Sequence, residues 1–138
     1  MEENADRIAP SALFGTAVFG IIGDPNFFST FSRLTAILQR KHPEIACETV
    51  PGISSITAFS SVAQIPVSSS FSVSDGSEEQ VAIRLKVRRP RDLADQLRQD
   101  GYTGFTLIER MYMDGMAVFT GDDLPEESSY FSILYARK

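Results

Sequence analysis

The chain is poor in the residues that most often announce a chemistry. Its 138 residues include one cysteine, Cys47, and one histidine, His42. A lone cysteine excludes an internal disulfide framework and fits a reducing compartment. A lone histidine excludes a metal site built from several imidazoles. No apolar run approaches the roughly 20 residues of a helical membrane span. The acidic start, Met1-Glu2-Glu3-Asn4, lacks the basic stretch of a secretory signal. Basic residues are outnumbered, 13 Lys+Arg against 18 Asp+Glu, so the net charge is −5. General nucleic-acid binding favours the opposite balance. No Gly-x-Gly-x-x-Gly, Walker or Gly-x-Ser-x-Gly sequence is present. What is present is a globular balance of 43% hydrophobic and 22% charged residues. The expectation is a cytoplasmic protein that binds neither membrane nor nucleic acid.

Read in order, residues 1–12 suggest the end of a helix and a loop, with Pro10 stopping the helix. Residues 16–22 are an apolar run without alternation, the pattern of a strand buried on both faces of a parallel sheet. Gly23-Asp24-Pro25 ends it. Residues 27–41 carry apolar side chains at helical spacing, with Ser29 or Asn26 as cap. His42-Pro43 closes that helix, and residues 44–50 read as a second strand. Pro51-Gly52 breaks it, and a short helix runs from Ser54 or Ser55 to about Ala63. This is a strand-helix-strand unit, whose turns at 23–25 and 51–54 share the carboxyl edge where α/β sheets bind ligands.

A composition break follows. Residues 66–79 contain Pro66, five serines between Ser68 and Ser74, and Asp75-Gly76. The expected division is 1–66, part of a parallel-sheet α/β domain, and 67–138, a small mixed-sheet α/β domain. In the second half, strands are expected at 81–87, 104–109, 116–119 and 130–136. Pro90 and Gly101 bracket a helix whose buried face carries Leu93 and Leu97.

Three groups have chemical potential, and each also has a plain structural reading. In Gly23-Asp24-Pro25, glycine permits close backbone approach and the carboxylate can accept from a ligand hydroxyl or amine; equally, this is a strand-ending turn. Gly52-Ile53-Ser54-Ser55 offers hydroxyls and helix-start amides, or a serine-capped turn. Arg84, Lys86, Arg88, Arg89, Arg91 and Arg98 concentrate six of the 13 basic residues. They suit carboxylates or phosphates, or a solvated surface. Phe27-Phe28 reads as core or as the wall of a cleft. His42, at a helix end beside Pro43, reads as exposed, and Cys47 as a small core residue.

Taken together, Gly23-Asp24-Pro25 after Val18-Phe19-Gly20-Ile21-Ile22, then Glu48-Thr49-Val50-Pro51-Gly52-Ile53-Ser54-Ser55, resemble the tetrapyrrole methylases. The run from Gly23 to Phe31, with its Phe28-Ser29-Thr30, is most similar to the precorrin-2 carbon-20 methyltransferase branch. Leu107-Ile108-Glu109-Arg110 and Tyr130-Phe131-Ser132-Ile133-Leu134 resemble that family's closing segments. Two departures stand out. The family's opening strand and Gly-x-Gly-Pro-Gly loop are absent, as if the chain began near the fourth strand of the first domain. That leaves residues 16–22 with an edge for another chain to cover. Arg110-Met111-Tyr112-Met113 is bulky where the family often has small residues.

The resemblance implies an S-adenosylmethionine-dependent C-methyltransferase of corrin synthesis, acting on precorrin-2 or its cobalt form, with S-adenosylhomocysteine as product. It implies cofactor contacts at Gly23, Asp24, Pro25, Ser54 and Ser55, and at Leu85, Lys86, Glu109, Arg110, Phe131 and Ser132. Phe27, Phe28, Arg33 and Arg88 are candidate contacts for the carboxylate-rich acceptor. The family habit implies a homodimer, and no metal site is expected. Two alternatives accompany this reading: methylation of another tetrapyrrole position, or a shortened, non-catalytic remnant that binds ligand or dimerises.

Overall fold

The computed structural model describes Met1–Lys138 and divides into two units, Met1–Val73 and Ser74–Lys138. The division falls inside the serine-rich stretch that the composition marks.

In the first unit, helix α1 (Glu2–Phe14) packs on helix α2 (Thr30–Lys41). Ala5 and Ala9, one turn apart and small, allow the two helices to approach, and they bury against Leu34, Leu38 and Ile45. Glu2 and Glu3 suit the positive N-terminal end of α1. Exposed pairs, Arg40–Glu2 at 2.7 Å and Lys41–Asp6 at 2.6 Å, add at most about 1 kcal/mol each. Pro10 does not end α1, contrary to expectation; it lies inside the helix. Its missing N–H and ring clash cost about 3 kcal/mol. Packing of Ile8, Ala9 and Ala12 on both sides of it holds the helix together.

Ser29 caps α2, its hydroxyl accepting from the Phe31 N–H at 3.1 Å. The helix therefore starts after Phe27 and Phe28, later than the sequence suggests. Helix α3 (Ser55–Ala63) is capped by Ser54, which accepts from the Ile56 N–H at 3.2 Å. None of its residues is buried.

The strands expected at 16–22 and 44–50 are not formed, and with them goes the parallel sheet of the first domain. Neither 16–22 nor 46–50 makes a backbone–backbone hydrogen bond. Val18 is 90% exposed and Ile22 fully so. Apolar composition supplies the tendency to extend, but a strand exists only through a neighbour that takes its N–H and C=O groups. Ile45 and the half-buried Cys47 pack instead on the α1–α2 core.

The second unit is a four-stranded sheet with one helix. Strands β1 (Val81–Leu85), β2 (Gly104–Glu109), β3 (Ala117–Thr120) and β4 (Ser132–Arg137) lie in the order β1-β4-β2-β3, and α4 (Pro90–Gln99) joins β1 to β2. Every neighbouring pair is antiparallel, which corrects the expected mixed sheet. The physical reason is topological. β1 and β2 run the same way, as their helical crossover requires, but β4 inserts between them in the opposite direction, a split βαβ arrangement.

Alternation along the strands places Ala82, Phe105, Leu107, Leu134 and Ala136 on one face, under Ala94 and Leu97 of α4. Leu93 packs at the margin of this core. Leu107 and Leu134 sit opposite each other and are completely buried. Burial of each is worth about 1.5–3 kcal/mol. Pro90 opens α4, and Gly101 follows it with φ +89°, a left-handed turn that glycine adopts freely.

Candidate functional site

The candidate residues fall into two groups, one in each unit. In the first unit, the two turns are brought side by side. Asp24 Oδ1 accepts from the Asn26 N–H at 2.8 Å, and Asp24 Oδ2 accepts from the Gly52 N–H at 3.0 Å. Asn26 Nδ2 donates to Thr49 Oγ1 at 3.2 Å. A Cβ added to Gly52 would lie 2.2 Å from the Gly23 carbonyl oxygen, so the backbones touch there and only glycine fits. Gly23 has φ +93°, and a Cβ on it would meet nothing within 4 Å. Its backbone therefore borders open space that a ligand can enter.

Pro25 is buried, while Ser54 and Ser55 open α3 shortly after Gly52. Phe27 and Phe28 are 47% and 70% exposed and stand outside the core. Phe28 holds φ +49°, an uncommon state for a bulky residue and a local cost of roughly 1–3 kcal/mol. Arg33 is exposed on α2.

In the second unit, six candidates meet at one end of the sheet. β1 ends at Leu85, β2 ends at Glu109, and β4 begins at Ser132, between them. The Lys86 N–H donates to the Ser132 carbonyl at 2.9 Å, and the Arg110 N–H donates to the Phe131 carbonyl at 2.7 Å. Lys86 (φ +57°) and Arg110 (φ +49°) are both left-handed, so both strands turn sharply there without glycine. Such outliers, held by their surroundings, mark positions where the backbone direction matters.

A serine loop locks this end. The Ser132 hydroxyl, buried, reaches the Val87 carbonyl at 2.5 Å and the Ser129 carbonyl at 2.8 Å, and the Ser128 hydroxyl also donates to Val87. Glu109 Oε1 accepts from the Ser129 N–H at 3.0 Å, so its carboxylate is already engaged by the serine loop. Ser129 Oγ is buried with no partner. Sequence reasoning missed Ser128 and Ser129 and named Tyr130 only within the resembling segment; the Ser128-Ser129 pair just before that segment was the available signal.

The basic cluster divides by use. Arg91 donates to the Leu124 carbonyl at 2.6 Å, and Arg98 pairs with Asp95 and Asp122. Lys86 and Arg88 have no carboxylate partner. Both approach one ring, with Lys86 Nζ 5.4 Å and Arg88 Cζ 5.9 Å from the Tyr130 centroid. An open depression of about 370 Å³ elsewhere on this unit, lined by Thr106, Thr120, Tyr135 and Arg137 among others, contains none of the candidate residues.

The profile of the tetrapyrrole (corrin/porphyrin) methylases matches residues 1–118. This chain belongs to that family. The match covers the paired turns of the first unit and the ends of β1 and β2 in the second. Among solved structures, the crystal structure of the methyltransferase CobJ is similar over 99% of this chain and 71% of its own, with 19% identity and a TM-score of 0.42. No curated protein matches.

Proposed function

We propose that this methylase transfers a methyl group from S-adenosylmethionine to a ring carbon of a tetrapyrrole in the cobalamin pathway, with precorrin-2 or cobalt-precorrin-2, at carbon 20, as acceptor. One observation carries the reading. The two turns on which the resemblance rests are 28 residues apart, yet they are joined directly through Asp24 and Gly52. Homodimeric assembly in the cytoplasm belongs to the same reading.

The residues suit the cofactor. The half-buried Gly23 borders open space where a ligand can approach closely, and Ser54 and Ser55 follow the Gly52 backbone that touches it. In the second unit, Leu85, Lys86, Glu109, Arg110, Phe131 and Ser132 converge at one sheet end, tied together by their own backbone hydrogen bonds. The cofactor supplies an activated methyl group on a sulfonium. The protein's part is then largely positioning, which can account for much of the rate. Lys86, Arg88 and Arg33 offset the net negative charge for an acceptor rich in carboxylates, and Phe27 and Phe28 offer it flat apolar surface.

Calorimetric titration with S-adenosylhomocysteine tests this. Saturable binding near one ligand per chain is expected, and its absence would overturn the cofactor assignment. A second reading, ligand binding or dimerisation without turnover, is favoured by the unpaired runs at 16–22 and 46–50. Methyl transfer by the 138-residue chain would exclude it.

A further inference from the structure

In a sheet, two loops at one edge are held in register by the ladders of the strands behind them. Here the segments behind the two turns make no ladder. The polar ties between the turns are side-chain bonds, and Asp24 supplies the central one. Each of its carboxylate oxygens faces a backbone N–H, of Asn26 on its own turn and of Gly52 on the other, at 2.8 and 3.0 Å. Charge-assisted bonds of this kind are about twice as strong as neutral ones. Asn26 adds a second tie to Thr49 at 3.2 Å, and the Gly52 backbone lies against the Gly23 carbonyl where no side chain fits.

We propose that Asp24 is a positioning residue. Its carboxylate clasps the Pro51-Gly52 turn to the Gly23-Asp24-Pro25 turn, and the ligand meets the backbone edge that this clasp sets. Gly52 is the other half of the device. Substituting either residue releases the same interlock. The ligand arm of this inference rests on the cofactor reading above; the clasp itself does not.

Amide hydrogen exchange of the free chain is the primary test. In Asp24→Ala, exchange at Gly52 and Asn26 should quicken by about 10-fold, the loss of one charge-assisted bond at each. The Leu34 and Leu38 amides of α2 report the fold in the same spectrum and should not change. Asp24→Asn retains one carbonyl acceptor, so protection should persist at one of the two amides only. If Asp24→Ala also exposes α2, Asp24→Asn decides alone. Unchanged Gly52 and Asn26 exchange would overturn the clasp.

Affinity for S-adenosylhomocysteine then separates positioning from contact. Asp24→Ala and Gly52→Ala should each weaken binding, and the double variant should be no worse than the weaker single one. Losses that multiply would show that Asp24 touches the ligand independently, and would overturn the positioning role. A wild-type chain that does not bind the ligand would remove the cofactor reading, while the exchange measurement still judges the clasp.

Discussion

The two units have similar lengths but are held together differently. The second unit buries ten residues in one cluster, under a helix and behind three antiparallel ladders. The first has a core cluster of five, around the α1–α2 pair. Its third helix buries nothing, and its two apolar runs have no strand partner. In the second unit, sheet and core position the candidate residues. In the first, hydrogen bonds between turns do that work. Apolar content alone therefore does not make a sheet; partners do.

Six substitutions test this contrast. The largest effect is expected from Leu107→Ala, which empties a completely buried position and should cost about 2–5 kcal/mol in urea unfolding of the second unit. Leu34→Ala in the first unit should fall at the low end of that range, because half-buried neighbours can relax around it. Equal costs would contradict the contrast.

Next comes Ser132→Ala, expected to lose about 1 kcal/mol in the same measurement, since the Val87 carbonyl keeps the Ser128 hydroxyl as partner. Ser54→Ala removes the cap of α3 and about 1 kcal/mol of helix stability. With nothing packed on α3, circular dichroism should show lost helix, whereas Ser29→Ala should leave the packed α2 helical.

The smallest effect concerns Tyr102, 5% exposed, whose hydroxyl donates to Glu79 at 3.3 Å. Burial, and then the Glu79 charge, hold its phenol above the ordinary value of 10.0. The fold favours the neutral phenol. Its contribution is fully present below pH 10.0 and is lost as pH rises through the higher folded value. Melting temperatures compared at pH about 9 and about 11 should fall less in Tyr102→Phe than in the wild type.

The helices and the second-unit strands were legible because their signals are local. Ser29 and Ser54 cap where caps were expected, and Pro90 and Gly101 bracket α4. The 81–87 and 130–136 strands are present in shorter form. Pro10 misled because tertiary packing outweighed its local cost. The 16–22 and 44–50 strands misled because periodicity reports burial tendency and says nothing of which backbone lies alongside. The insertion of β4 between β1 and β2 is likewise a long-range event. At the candidate site, both glycine turns could be read from residue types, but the bond from Asp24 to Gly52 could not, since nothing local links residues 28 apart.

The most direct measurement of the central claim is the amide spectrum of this chain titrated with S-adenosylhomocysteine. Saturable shifts are expected at Gly23, Asp24, Gly52 and Ser55, the residues of the paired turns. No shifts, or shifts confined to the depression around Thr106, Thr120 and Tyr135, would contradict it.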